Sequence, residues 1–392
     1  MWRGIRTAAV AAVAAATGFG LVGSARAADT YTLCSTGPGK PVVSPDSSGR
    51  CGAGGRALVL ARGSALRSLE REVRALQTLL AGVTRSHHTM RFSGMNLQLV
   101  SGSGSTSGRV NGLGNLIIGY DENPHHNPQN GSMNLVLGED QTFTSYGGVI
   151  GGEHNALTGS FADVFALDNT ASARFSSVTG GSQNRATFDS SAVSGGEHNT
   201  ASGDSSSVSG GEYDTATVDD ASVSGGENNT ASGISSSVSG GADNIASTSC
   251  VCIAASSVSG GNYNVASGFR SWVSGGRENY ATGQGSAVSG GDYNTSSALN
   301  ASISGGRGNS ADALYASVSG GFDNTAGARG ASVSGGEHGL ANALDSSISG
   351  GCGNLTGRGT TTDCSGFIDA QSILGGFNKQ VTAAGGTSYT GP

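Results

Sequence analysis

Branched aliphatic residues recur at a fixed interval through more than half of this chain, and that interval leaves few folds open. Val178, Val193, Val208, Val223 and Val238 stand 15 residues apart, and Val258, Val273, Val288, Ile303, Val318, Val333 and Ile348 resume the same step. The interval from Val238 to Val258 is 20, one period plus five residues, and it contains Cys250 and Cys252. The interval from Ile348 to Ile373 is 25, one period plus ten, and it contains Cys352 and Cys364. Glycine is abundant, 68 of 392 residues, and charged residues make up only 12%. Such a composition fits a disordered chain, but disorder gives no reason for a fixed interval. A regular period is the mark of a repeat architecture.

The register can be read from one coil, Ser222-Val223-Ser224-Gly225-Gly226-Glu227-Asn228-Asn229-Thr230-Ala231-Ser232-Gly233. A Gly-Gly pair follows two residues after each of the 13 markers. Asparagine stands six residues after the marker in ten of the first twelve copies, with Asp214 and Gly339 as exceptions. Alanine stands eight residues after it in ten of twelve, with Ser296 and Thr356 as exceptions. Alternation around Val and Ala points those side chains inward and Ser and Thr outward. The glycines permit a tight corner, and Asn tolerates a left-handed backbone and can bond to its copies in adjacent coils. The expected fold is an all-β repeat, a parallel β-solenoid of 15-residue coils with two short strands per coil. One Val or Ile and one Ala per coil make a lean core, so the coils are expected to bury further surface against neighbouring chains.

Six zones are expected. Residues 1–27 fit a secretory signal peptide: Arg3 and Arg6, an apolar stretch from Thr7 to about Gly23, then Ala25-Arg26-Ala27. The chain is therefore expected to be secreted, extracellular or on the cell surface, with no membrane span in its mature form. Residues 28–63 form a small disulfide-linked cap, similar to an N-terminal module of secreted bacterial proteins with a Tyr-x-x-Cys strand. Residues 64–84 carry Leu66, Leu69, Val73, Leu76, Leu80 and Val83 at the 3,4 spacing of a coiled coil. Residues 85–162 hold degenerate coils, with Asp121 to Pro128 inserted as a polar loop. The regular repeat occupies 163–380, and 381–392 form a flexible tail.

The six cysteines fall into three sequence-local pairs, Cys34 with Cys51, Cys250 with Cys252, and Cys352 with Cys364. Local disulfides are the expectation for an exported chain, although six cysteines permit 15 connectivities and Cys250-Val251-Cys252 would be a strained bridge. Zinc is the rival reading, but no pair has Cys-x2-Cys spacing.

The repeat resembles the YadA-like head of trimeric autotransporter adhesins, whose coils run Ser-Val-Ala-Ile-Gly-x-x-Ser-x-Ala-x-Gly. Ser222-Val223-Ser224-Gly225-Gly226 matches its first five positions, Asn229 its second Ser, Ala231 its Ala and Gly233 its last Gly. The resemblance covers about 210 residues of the 392. It implies a left-handed β-roll, three chains about one axis and adhesion to a host or matrix surface, with the ligand unknown. Four departures stand beside it: Gly replaces the inward Ile, the repeat is 15 long where the family more often has 14, the helix precedes the repeat, and no amphipathic anchor strands follow it.

Enzymatic motifs are absent: there is no Gly-x-Ser-x-Gly elbow, His-Glu-x-x-His or phosphate loop. The expectation is a non-enzyme without cofactor or metal. A net charge of −7 argues against nucleic acid. His154, His198 and His338 follow Gly-Gly-Glu at a corner position that other coils fill freely, which fits a solvated corner. His125 and His126 fall in the inserted loop, and His87 and His88 follow the coil. Gly-Gly-Glu-x-Asn is similar to a calcium-binding nonapeptide, with Glu197, Glu212, Glu227 and Asp292 as ligands to test, but the period differs. The alternative function is an ice- or polysaccharide-binding solenoid with an outward Thr/Ser ladder. Thr200-Ala201-Ser202 and Thr230-Ala231-Ser232 favour it, whereas Ile245, Val265, Tyr280, Leu340 and Leu355 interrupt the face.

Overall fold

The structure, a computed structural model, describes residues 30–35, 42–61, 63–248, 255–357 and 380–381. The expected signal peptide, Cys250, Cys252, Cys364, Ile373 and nearly all of the expected tail lie outside the described residues. The chain divides into two compact units, Met1–Leu97 and Gln98–Pro392. Among the described residues no helix is long and apolar enough to cross a membrane.

In the first unit, β1 (Thr30–Ser35) pairs antiparallel with β2 (Arg56–Ala61), Cys34 opposite Ala57. A disulfide joins Cys34 to Cys51. The loop between the strands is tied by Asp46, whose carboxylate accepts from the Ser48 hydroxyl and from the amides of Arg50 and Ser48. Those bonds hold the Asp46 carboxyl below its ordinary range, against the small opposing effect of burial.

The helix α1 runs Gly63–Leu79, not to residue 84 as the apolar spacing predicts. Leu80 lies in the turn that follows, and Val83 opens β3 (Val83–Ser86), which forms a hairpin with β4 (Thr89–Phe92). The apolar spacing continues past the stop, but the backbone chemistry does not. Gly82 and the β-branched pair Val83-Thr84 disfavour helix, and the Ser93 amide donates to the Gly82 carbonyl at 2.8 Å, folding the chain back. His87 and His88 are the exposed turn of this hairpin. Leu69, Val73, Leu76 and Leu80 are 43–58% exposed, so the apolar stripe of α1 is open to solvent in the single chain.

The second unit is a parallel β-solenoid. Two sheets of 16 strands each are formed by the described residues, and every strand but the terminal ones pairs with its equivalents one coil before and one coil after. Val223 is paired with Val208 and Val238, and Ala231 with Ala216 and Ala246. These inward residues are 0–1% exposed, so the core is a column of Val facing a column of Ala. A narrower column of single bridges, Glu197 to Glu212 to Glu227, completes the coil between the two sheets.

Two corners per coil use left-handed residues, Asn228 (φ 56) and Ser235 (φ 57) in the representative coil. Gly226 (φ 108) precedes the first, and a Cβ there would overlap the Gly241 carbonyl oxygen of the next coil. Coils can stack at strand spacing only because this position lacks a side chain.

The regular spacing of asparagine has a buried explanation. Asn229 is fully buried; its Oδ1 accepts the Asn244 amide at 3.1 Å. Its Nδ2 donates to the Gly225 carbonyl at 3.1 Å and to the Gly241 carbonyl at 3.0 Å. Each ladder Asn thus ties one corner to the next, giving the Gly225 carbonyl a partner and the Gly241 carbonyl a second donor beside the Glu227 amide.

The solenoid does not begin at the regular repeat. Both sheets extend back through the zone expected to be degenerate, one of them as far as Leu116–Ile118. There Val136, Ile150, Val164 and Val178 occupy the marker position at a spacing of 14. Their strands are five residues long, Leu135–Glu139, Val149–Glu153 and Asp163–Leu167, against two in the 15-residue coils. The added residue in a 15-residue coil is the one after the marker, such as Ser224, which lies outward and ends the strand early. Phe143 and Leu157 replace the small inward residue in the first coils, giving that end a fuller core. At the other end, Leu355 pairs with Gln380 across 25 residues, so the long interval keeps the register.

Candidate metal centre at the first corner

The left-handed corner of the early coils gathers groups far apart in sequence. Asp140 (φ 54) and His154 (φ 56) occupy the same corner position in consecutive 14-residue coils, because Glu139 pairs with Glu153 just before them. The loop inserted after Ile118 adds a third group. Asn123 closes that loop, its Oδ1 accepting the Asn127 amide at 2.7 Å and its Nδ2 donating to the Asn127 carbonyl at 2.9 Å. The Asp140 amide donates to the Glu122 carbonyl at 2.7 Å, and Asn127 Nδ2 donates to the Asp140 carbonyl at 3.0 Å. The loop is thereby laid against the corner, and His125 faces Asp140.

His125 Nδ1 and His154 Nε2 both meet Asp140 Oδ2, the second at 2.6 Å. Asp140 is 2% exposed, and its other oxygen accepts from Asn127 Nδ2 at 2.9 Å. Burial pushes the Asp140 carboxyl up, but the His125 hydrogen bonds and the two neighbouring imidazoles outweigh it and hold the group below its ordinary range. The three donor atoms lie within 4.8 Å of one another, and this is the one such group among the described residues. The outer nitrogen of His154 faces Glu153 at 3.7 Å and Asp168 at 3.8 Å. Two imidazoles and a carboxylate are a donor set for a borderline divalent metal, and they can equally be joined by hydrogen bonds alone.

The sequence reading assigned no metal and placed His154 on a solvated corner and His125 in a polar loop. His154 is half-buried against Asp140, while His125 is exposed on its outer side. The other histidines of the corner column are not gathered in this way. His198 stacks on Tyr213 at 4.6 Å and lies 3.5 Å from Glu197. His338 has Glu337 at 3.5 Å and Asp323 at 3.9 Å. Glu197, Glu212 and Glu227 stand one above another in the bridge column, with Asp292 further along it, and none of them belongs to a three-ligand group among the described residues.

The outward faces differ in regularity. The residue after the marker is exposed serine in eleven consecutive coils, from Ser194 to Ser349. The outward residue of the opposite sheet runs Thr200, Thr215, Thr230, then Ile245, Val265 and Tyr280. Cys352 is buried and disulfide-bonded. No family model matches the chain, and no curated protein is found to be similar to it.

Proposed function

We propose that the chain is an exported, non-enzymatic, adhesin-like or surface-structural protein, a rigid rod that presents polar faces and corner loops for attachment. The carrying observation is a division of labour. The solenoid buries a column of Val or Ile against a column of Ala and turns Ser, Thr and charged groups outward together with scattered apolar side chains such as Tyr213, Trp272 and Tyr293, whereas α1 leaves Leu69, Val73 and Leu76 exposed, and the turn after it Leu80. A stripe with heptad spacing and no intrachain cover favours self-association through the helix, and the likeness of the repeat to YadA-like heads favours three chains. The partner to be sought is an extracellular surface or matrix component.

Light scattering on the size-fractionated chain tests the assembly: a trimeric mass is expected for the native chain and a lower mass for the double variant Leu69→Ser, Leu76→Ser. A monomeric native mass overturns the trimer. Retention of cells or matrix-coated beads by the immobilised chain tests attachment, and its absence for every surface tried on both sheets' faces would count against adhesion.

The second reading, ice or polysaccharide binding, is favoured by the unbroken serine column at strand spacing. Thermal hysteresis and binding to insoluble polysaccharides measure it directly.

A further inference from the structure

We propose that His125, Asp140 and His154 form a binding site for one divalent transition-metal ion of the zinc class, and that the ion pins the 121–128 loop to the first full coils of the solenoid. Three observations carry this. First, both imidazole nitrogens converge on a single oxygen of Asp140. A hydrogen-bonded arrangement makes that one oxygen take two ring donors, while an ion held among the three groups takes one lone pair from each. Second, the surrounding groups are arranged as supports of ligands. Asn127 Nδ2 fixes the second oxygen of Asp140 at 2.9 Å, and His154 turns its outer nitrogen to the carboxylates of Glu153 and Asp168. At 3.7 and 3.8 Å the two carboxylates act on the imidazole through their charge and not through a hydrogen bond, which favours a cation on its other nitrogen. Third, the charge balance favours a cation: Asp140, Glu153 and Asp168 cluster here, and among the described residues none of them is ion-paired with Lys or Arg.

The donor set selects the class of ion. Two nitrogens and one carboxylate oxygen suit zinc, nickel, cobalt or copper, whereas calcium takes six to eight oxygen donors. His125 is 65% exposed on its side chain, so a fourth position open to water lies on the solvent side. The loop itself is held to the corner by few bonds, chiefly Glu122 to Asp140 and Asn127 to Asp140. A metal bond from His125 would therefore contribute most to its order.

The test uses the full chain without a polyhistidine tag, stripped with a chelator and titrated with zinc chloride by calorimetry, and with cobalt chloride by visible absorption. One zinc per chain is expected. His125→Ala, on the loop and outside the core, and His154→Asn, which places at this left-handed corner the residue found at Asn228 in another coil, should each weaken it at least ~10-fold. His198→Ala and His338→Ala should bind zinc as the native chain does, and calcium should not compete. Zinc should also slow amide exchange over 122–127 in the native chain and leave it unchanged in His125→Ala. Absence of saturable zinc uptake, uptake untouched by His125→Ala and His154→Asn, or displacement by calcium would overturn the site. Unchanged loop exchange on zinc binding would overturn the pinning.

Discussion

Position 214 is the place where the asparagine ladder is broken by an acid, and the consequence can be worked out from its neighbours. At Asn199 the side-chain amide donates to the Gly195 carbonyl at 3.0 Å and the Gly211 carbonyl at 2.9 Å, and Asn229 repeats the pattern one coil beyond Asp214. Asp214 keeps the acceptor half of the arrangement, its Oδ1 receiving the Asn229 amide at 2.8 Å and Asn229 Nδ2 at 3.0 Å. Its Oδ2 is buried without a partner among the described residues. Asp214→Asn restores two donors, worth ~1 kcal/mol each, and removes an unsatisfied buried oxygen, worth ~1–3 kcal/mol, so a gain of ~3–5 kcal/mol is expected at neutral pH. Burial pushes the Asp214 carboxyl above its usual value, with the Asn229 bonds opposing. A raised folded-state pKa means that the native chain is stabilised by protonation. That stability is complete below the unfolded value near ~4 and is lost as pH rises through the folded value. The gap between variant and native chain should thus be widest at neutral pH and shrink on acidification. Hydrogen exchange is the appropriate assay, because a long repeat array opens locally. Amides of Thr215, Asn229 and Thr230 should exchange ~150- to 5000-fold more slowly in the variant at pH 7. Equal exchange, or a gap that grows on acidification, would refute the reasoning.

Other substitutions probe the same architecture. Gly226→Ala forces a Cβ onto the Gly241 carbonyl at φ 108 and should destabilise the coil by more than ~2 kcal/mol, read as early exchange at Glu227 to Ala231. Ser296 stands in the alanine column with a buried, unpartnered hydroxyl, so Ser296→Ala should stabilise by ~1 kcal/mol in denaturant titration. Val223→Ala opens a cavity in a fully buried column and should cost ~2 kcal/mol, with protease cleavage near that coil as the readout.

Much of the solenoid could be read from Val, Gly-Gly, Asn and Ala at fixed offsets, because stacked identical coils impose the same demand at each step. The first coils were legible only as degenerate copies of the repeat, for a local reason. Val136, Ile150 and Val164 follow a step of 14, since the serine after the marker is missing, and Phe143 and Leu157 replace the expected Ala. The end of α1 was misplaced because Leu80 and Val83 continue the apolar spacing, whereas the helix is stopped by Gly82 and by a hairpin. The metal-type cluster was hidden behind the same change of step. Only when Gly138-Glu139-Asp140-Gln141 is set over Gly152-Glu153-His154-Asn155 do Asp140 and His154 share a corner. His125 reaches it from an insertion that has no register of its own, and no spacing rule would have placed it there.

The solenoid tolerates a change of coil length from 14 to 15 because the added residue, such as Thr179 or Ser224, lies outward. Val178 pairs in register with Val164 on one side and Val193 on the other, although 14 residues separate one pair and 15 the other, and Val238 pairs with Val258 across 20. The hydrophobic spine therefore acts as a ruler whose graduations are independent of how much chain lies between them. Extra residues between markers leave the rungs above and below in register, and whole rungs can be duplicated or lost to lengthen or shorten the shaft. Variation in reach and in displayed loops is mechanically uncoupled from variation in the core.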